Sequence, residues 1–219
     1  MRLVEVQVPA TLSVGSTVTL REAIASDEAL LLRGEGSVFC RGLDPGPSAA
    51  ADLEPLARML LDLRGRPSPT VAFVEGETLG GGVGLAAACD LVLAHPDARF
   101  GLPELVFGLT PAIVWPFLRE RVLPQPLRRL ALTGESIGAS EAARLGLVDV
   151  VASSCDPTAL RRTLSRTDAS ARSHLKSLPA TMEAEILAGC RLTAALRASP
   201  AAEERRARFE AGETPWVLT

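Results

Sequence analysis

The chain has 219 residues, 47% of them hydrophobic, with 26 acidic and 23 basic side chains and a formal net charge of −3. That size and apolar content suit one domain with a substantial core. The near balance of charge excludes a general nucleic-acid binder, which carries a basic excess, and no apolar run reaches the roughly 18 residues that cross a bilayer.

The N-terminus, Met1 to Val8, alternates like a strand and lacks a signal-peptide core, so a cytoplasmic location is expected. Val4, Val6 and Val8 give that first strand one buried face. Thr19 to Asp27 reads as a short helical turn, and Ala29 to Arg33 as a second, fully buried strand. A turn-rich segment follows from Gly34 to Asp44 and ends at Pro45-Gly-Pro47. Leu53, Leu56, Met59, Leu60 and Leu63 fall at helical spacing within Ala49 to Arg64, and Pro67 and Pro69 end that helix.

Thr70 to Val74 is a strand that feeds a glycine loop, with five glycines between positions 76 and 84. A helix from Gly82 to about Cys89 and a strand from Asp90 to Ala94 follow. Closely spaced glycines let the backbone approach a ligand, and the start of a helix adds amide donors and a positive end. This is equipment for an anion or for an oxygen that becomes negative in a reaction. A tight strand-to-helix turn explains the glycines equally well. Beyond Pro111, helices are expected over Ile113–Val122, Pro126–Thr133 and Ala139–Leu145, then a strand over Leu147–Val151 and alanine-rich helices from Pro157. The alternation of strand and helix means α/β with mainly parallel pairing. The division expected is a core over 1–155 and a helical region over 156–219 of the same domain.

Cys40, Cys89, Cys155 and Cys190 are far apart, and they read as buried, reduced thiols. His95 and His174 are too isolated to suggest a metal centre. No metal and no cofactor are expected.

Three ordered segments carry a resemblance: Gly36-Ser-Val-Phe-Cys-Arg-Gly-Leu-Asp44, Gly80-Gly-Gly-Val-Gly-Leu-Ala-Ala-Ala-Cys-Asp90 and Phe100-Gly-Leu-Pro-Glu-Leu-Val-Phe-Gly-Leu-Thr-Pro111. They resemble the enoyl-CoA hydratase/isomerase (crotonase) family, best over residues 30 to 150. Leu132 to Asp149 and the ending Phe209 to Trp216 add to the likeness. The resemblance implies a crotonase-like ββα spiral core with C-terminal helices that serve assembly as a trimer or hexamer. It also implies an acyl thioester substrate, on coenzyme A or an acyl carrier protein, and an enolate whose oxygen is held by two backbone amides. The matching positions are Leu43 and Gly81, and Glu104 matches the acid/base carboxylate.

The family's second hydratase carboxylate matches Gly84, a departure that counts against simple hydration. Glu77 is the first candidate for a second proton donor. Ile113, Val114 and Trp115 line an acyl pocket or pack the core. The segment Phe100 to Leu118 resembles more closely the polyketide β-branching enzymes that dehydrate a 3-hydroxy-3-methylglutaryl group on a carrier protein. The short stretch between Val8 and Leu30 leaves room for a reduced coenzyme A pocket, which a carrier-protein substrate tolerates. Enoyl-CoA isomerisation and thioester binding without catalysis are the rival readings. Arg119, Arg121, Arg128 and Arg129 read as one cationic face, solvated or for docking an acidic carrier.

Overall fold

The computed structural model describes residues 1–43, 50–177 and 183–215. Asp44, Pro45, Pro47 and Trp216 therefore lie outside the described residues.

Five strands form a parallel sheet in the order β1 (Leu3–Gln7), β2 (Ala29–Arg33), β4 (Thr70–Val74), β6 (Leu91–Ala94) and β9 (Val150–Val151). The bounds of β2 and β4 agree with the sequence reading. Both are continuous apolar runs because both faces of the sheet are covered. Leu30, Leu32, Ala72 and Val74 face the main core, while Leu31, Val71 and Phe73 face a smaller one shared with Cys155 and with Leu160 and Leu164 of α7 (Pro157–Leu164).

A second sheet has the order β3 (Val38–Cys40), β5 (Glu77–Leu79), β7 (Arg99–Gly101) and β8 (Ser136–Gly138). It is parallel except for the β7–β8 pair. Each of these strands has three residues, too few for a period-2 pattern to stand out among glycines. The result is a spiral of ββα turns, the architecture that the resemblance implies.

Two helix boundaries differ from expectation. Helix α1 covers Val14–Ile24, earlier than the turn expected at Thr19–Asp27, because Ser13 and Ser16 close a reciprocal capping box. It remains short at 11 residues. The helix expected over Ile113–Val122 is reduced to α4 (Trp115–Arg119), since Pro111 to Val114 turn around a cavity instead.

Helices α2 (Ala50–Gly65), α5 (Pro124–Thr133) and α6 (Ala139–Arg144) follow the expected spacing. The C-terminal helices α8 (Ala169–Ser177), α9 (Glu183–Arg197) and α10 (Pro200–Glu210) return to the body of the chain. Helix α9 packs along α2 with Ile186 and Cys190 buried, and α10 packs on the turn Pro103–Phe107.

The four arginines expected on one cationic face are divided. Arg121 turns inward to Asp149 and the carbonyls of Ala87, Cys89 and Asp90, and Arg129 pairs with Glu135 and Glu141. All four cysteines are free and buried, and burial pushes the thiols of Cys40 and Cys89 up to about 11 and about 12, so both stay protonated. Among the described residues no helix is long and apolar enough to cross a membrane.

Candidate active site

Helix α3 (Gly81–Ala88) starts directly after Gly80, whose φ of +49° suits a residue without a β-carbon. The helix is small and buried throughout Gly82–Ala88, so it can press on its neighbours backbone to backbone. A β-carbon at Gly82 would lie 2.0 Å from the Cys40 carbonyl oxygen. This contact draws the end of β3 against the start of α3.

The loop after β3 is held from its other side. The amide of Arg41 donates to the Ala10 carbonyl, and the amide of Leu12 donates to the Gly42 carbonyl, each at 2.7 Å. Gly42 has φ +80°, and a β-carbon there would sit 2.7 Å from the Gly81 nitrogen. A β-carbon on Gly81 would in turn lie 3.5 Å from the Leu43 nitrogen. The amides of Leu43 and Gly81 therefore flank one gap. The first amides of a helix have no acceptor within it, and the helix end adds positive potential.

Glu104 stands on the 3-10 turn Pro103–Phe107, closed by Gly108 at φ +73°. Its carboxyl reaches over the glycine loop: a β-carbon built on Gly80 would be 3.0 Å from Glu104 Oε1. Oε2 is fully buried and has no hydrogen-bond partner among the described residues. Burial raises this carboxyl from the usual range to about 7, and a hydrogen bond from its own amide offsets a small part. A carboxyl poised near neutrality can take a proton or give one back at working pH.

The two amides and Glu104 line one cavity of about 270 Å³. Leu56, Leu109, Ile113 and Val114 supply apolar wall, and Phe209 of α10 closes over Phe107 with ring centroids 5.3 Å apart at 88°. Trp115 does not join Ile113 and Val114. It lines a neighbouring groove with Pro116, Arg119 and Leu192, because the turn into α4 points it away from Glu104.

Glu77 is also outside the cavity lining. Its side chain is 41% exposed and pairs with Arg41, which does line the cavity. Glu75 pairs with Arg33. Asp90 accepts from the Thr70 amide and hydroxyl and from Lys176, a structural arrangement.

Position 84, where the resemblance places a second carboxylate, has no space for a side chain. A β-carbon there would lie 2.1 Å from Val114 Cγ1. Val114 fills that volume, so the change to glycine and the valine thirty residues later are one feature of the site. Sequence reasoning also missed Thr193, Arg197 and Arg206, which reach the cavity from α9 and α10. Only the spacing of Gly189, Thr193 and Arg197, on one helix face, could have flagged two of them.

Comparison with known proteins places the chain in a family and a fold. The family model described as enoyl-CoA hydratase/isomerase matches residues 20–200. The bacillaene synthase dehydratase PksH of Bacillus subtilis is 36% identical over 129 residues, which are 55% of this chain and 50% of that protein. Cyclohexa-1,5-dienecarbonyl-CoA hydratase of Thauera aromatica is 36% identical over 140 residues, 61% of this chain and 53% of that protein. The matched part of the chain thus spans about half the length of these two relatives. The crystal structure of Bacillus subtilis pksH superposes with a TM-score of 0.82 at 25% identity, covering 95% of this chain and 94% of that one. An enoyl-CoA hydratase from Mycobacterium avium superposes with a TM-score of 0.85 at 24% identity, covering 97% and 92%. A match across most of its length, on a spiral fold that joins a glycine-loop amide pair to Glu104, makes this chain a member of the enoyl-CoA hydratase/isomerase family.

Proposed function

We propose that this chain removes water from a 3-hydroxyacyl thioester through an enolate, with a 3-hydroxy-3-methylglutaryl group on an acyl carrier protein as its substrate. The observation that carries this reading is the buried Glu104 carboxyl, whose Oε2 has no hydrogen-bond partner among the described residues, beside the neighbouring Leu43 and Gly81 amides, with the space at position 84 filled by Val114. The likeness to a dehydratase of bacillaene synthase supports it.

The Leu43 and Gly81 amides donate to the thioester oxygen. Each such donor contributes about 3 kcal/mol more to the enolate-like transition state than to the ground state. Ionised Glu104 takes the α-proton, and the C–H electrons pass into the enolate. As the α,β double bond forms, the β C–O bond breaks, and Glu104 returns the proton to the departing hydroxide. One carboxyl handles both proton movements, so water leaves with no second acid. A hydratase that binds and orients incoming water makes a different demand, and among the described residues the cavity holds no second carboxylate for it.

The carrier-protein form of the substrate, action in the cytoplasm and assembly as a trimer or hexamer belong to the same reading. Mass spectrometry of 3-hydroxy-3-methylglutaryl-carrier protein after incubation tests it. The parent protein is expected to remove one water and Glu104→Gln none. An unchanged mass with the folded parent protein would overturn dehydration and favour isomerisation of an enoyl thioester. Equal turnover of coenzyme A and carrier-protein thioesters would remove the carrier-specific part.

A further inference from the structure

The cavity holds more unpaired polarity than the proton chemistry uses. Among the described residues that line it, three buried side-chain oxygens have no hydrogen-bond partner: Glu104 Oε2 and the hydroxyls of Thr110 and Thr193. Glu104 has its task. The two hydroxyls have none, and much of the wall beside them, with Leu79, Leu109, Ile113 and Val114, is apolar.

Two separate elements bring them there. The amide of Leu109 donates to the Glu104 carbonyl at 2.9 Å, so the chain doubles back at Gly108 and Thr110 follows beside the turn on which Glu104 stands. Thr193 arrives from α9. A β-carbon at Gly189 would be 2.6 Å from the Ala112 carbonyl oxygen and 3.1 Å from the Ile113 nitrogen, which seats that helix directly on the run that continues from Thr110. Thr193 lies one turn further along the same helix face and is 6% exposed. A buried hydroxyl with no partner forfeits the bonds it makes with water in the unfolded chain, and two of them beside a reactive carboxyl point to a ligand group that pairs with both.

A threonine hydroxyl carries no charge and both gives and accepts a hydrogen bond, so its natural match is another neutral hydroxyl. On a 3-hydroxyacyl thioester the carbonyl oxygen goes to the Leu43 and Gly81 amides, and the 3-hydroxyl is the neutral donor and acceptor that remains. We infer that Thr110 and Thr193 bind this 3-hydroxyl and hold its oxygen as it leaves, so that the site discriminates a 3-hydroxyacyl chain from the same chain without the hydroxyl. This rests on the reading of the cavity as a thioester dehydration site and adds the residues that position the leaving group. In the elimination, Glu104 gives the proton that makes the leaving group water. The threonines keep their own protons and donate hydrogen bonds to the oxygen while its bond to carbon breaks. They stand on the part of the wall where α9 meets the run after Glu104, away from the Gly84 position that Val114 fills.

The test is equilibrium binding, by calorimetry, of amide isosteres of the pantetheine thioester, in which nitrogen replaces sulfur and the α-proton is too weakly acidic to be removed. One carries the 3-hydroxy-3-methylglutaryl chain and the other the 3-methylglutaryl chain, so the two differ by a single oxygen. The parent protein is expected to bind the hydroxylated ligand about tenfold more tightly, as two neutral hydrogen bonds in a dry site provide. Thr110→Val and Thr193→Val should each remove part of that preference and the double variant nearly all of it, with affinity for the 3-methylglutaryl amide little changed. Thr193→Ser, which keeps the hydroxyl, should retain the preference. Each valine removes an unpaired buried hydroxyl and keeps the shape, so neither variant should unfold at a lower temperature than the parent. Equal affinity for the two ligands in the parent, or a preference that survives in the folded double variant, would overturn the inference. A lower unfolding temperature in both valine variants would also overturn it, by showing that the hydroxyls are already bonded within the protein. Binding of neither ligand would instead remove the thioester reading on which the inference rests. The amides are not dehydrated, so a protein that fails to turn over 3-hydroxyacyl thioesters still gives a clear answer here.

Discussion

Glu104 works against the fold it belongs to. Its carboxyl is raised to about 7 in the native state, whereas an exposed glutamate lies near 4.5. A native group with the higher value binds more protons than the unfolded chain between those limits, so its contribution to stability is lost as pH rises from about 4.5 through about 7. The full penalty above neutrality is on the order of 3 kcal/mol. Glu104→Gln should accordingly unfold at a higher temperature than the parent at pH 8, with the gap closing below pH 5, while the rate falls by about 10² to 10⁴. Calorimetry at the two pH values checks the first part. As the base in the free enzyme, Glu104 must be ionised, so kcat/KM should climb as pH rises and level off above about 7. A flat profile would remove Glu104 from the proton transfer. The pair Gly84 and Val114 makes a second residue-scale prediction. Gly84→Ala forces a β-carbon to 2.1 Å from Val114 Cγ1 and should cost about 1–3 kcal/mol by overpacking. Val114→Ala removes Cγ1 but leaves its own β-carbon 2.5 Å from the added methyl, so denaturant unfolding of the double variant should show part of the overpacking relieved, a loss below the sum of the two.

At the level of elements, the site depends on how tightly β3, α3 and the Glu104 turn are drawn together. The cysteine carbonyl at the end of β3 lies where Gly82 could carry no side chain, and Gly42 bends the chain into the amide gap. Gly42→Ala should strain a backbone at φ +80° and place a methyl group 2.7 Å from the Gly81 nitrogen. Loss of one oxyanion donor lowers kcat by about 10² to 10³, and KM should change much less, since the donor acts mainly on the developing charge. A fall confined to KM would show that the gap serves ground-state binding. The Glu104 turn depends on α10 in turn: Arg205 donates to the Val106 carbonyl at 3.0 Å, and Phe209 stands edge-on to Phe107. The C-terminal helices thus brace the Glu104 turn of their own chain.

Across the whole molecule, long-range ties hold the helical end to the sheet. Lys176, the chain's single lysine, reaches from α8 to Asp90 at 2.7 Å and to the Ser68 carbonyl at 3.2 Å. Its side chain is 10% exposed, and burial, opposed by Asp90, lowers its affinity for the proton. Lys176→Met leaves Asp90 with the Thr70 amide and hydroxyl, so the loss should be about 2 kcal/mol, below that for an orphaned buried charge. Thermal unfolding of the variant measures it, and an unchanged midpoint would reduce the pair to a surface contact. The single lysine is therefore part of the architecture.

Local sequence determined a good deal of this protein. Two fully apolar runs became the two central strands because buried parallel strands need no alternation, and the order of the glycine segments with Phe-Gly-Leu-Pro-Glu marked the family and the Glu104 position. The three-residue strands stayed hidden, since so short a run carries no readable period, and Ser16 in place of a glutamate concealed the start of α1. Tertiary structure alone decided what faces what. It swung Trp115 out of the cavity, tied Glu77 to Arg41, filled the Gly84 position with Val114 and brought Arg197 and Arg206 from α9 and α10 to the cavity lining. The division follows from range: propensity and periodicity act over a few neighbours, whereas a cavity is defined by contacts between segments as much as a hundred residues apart.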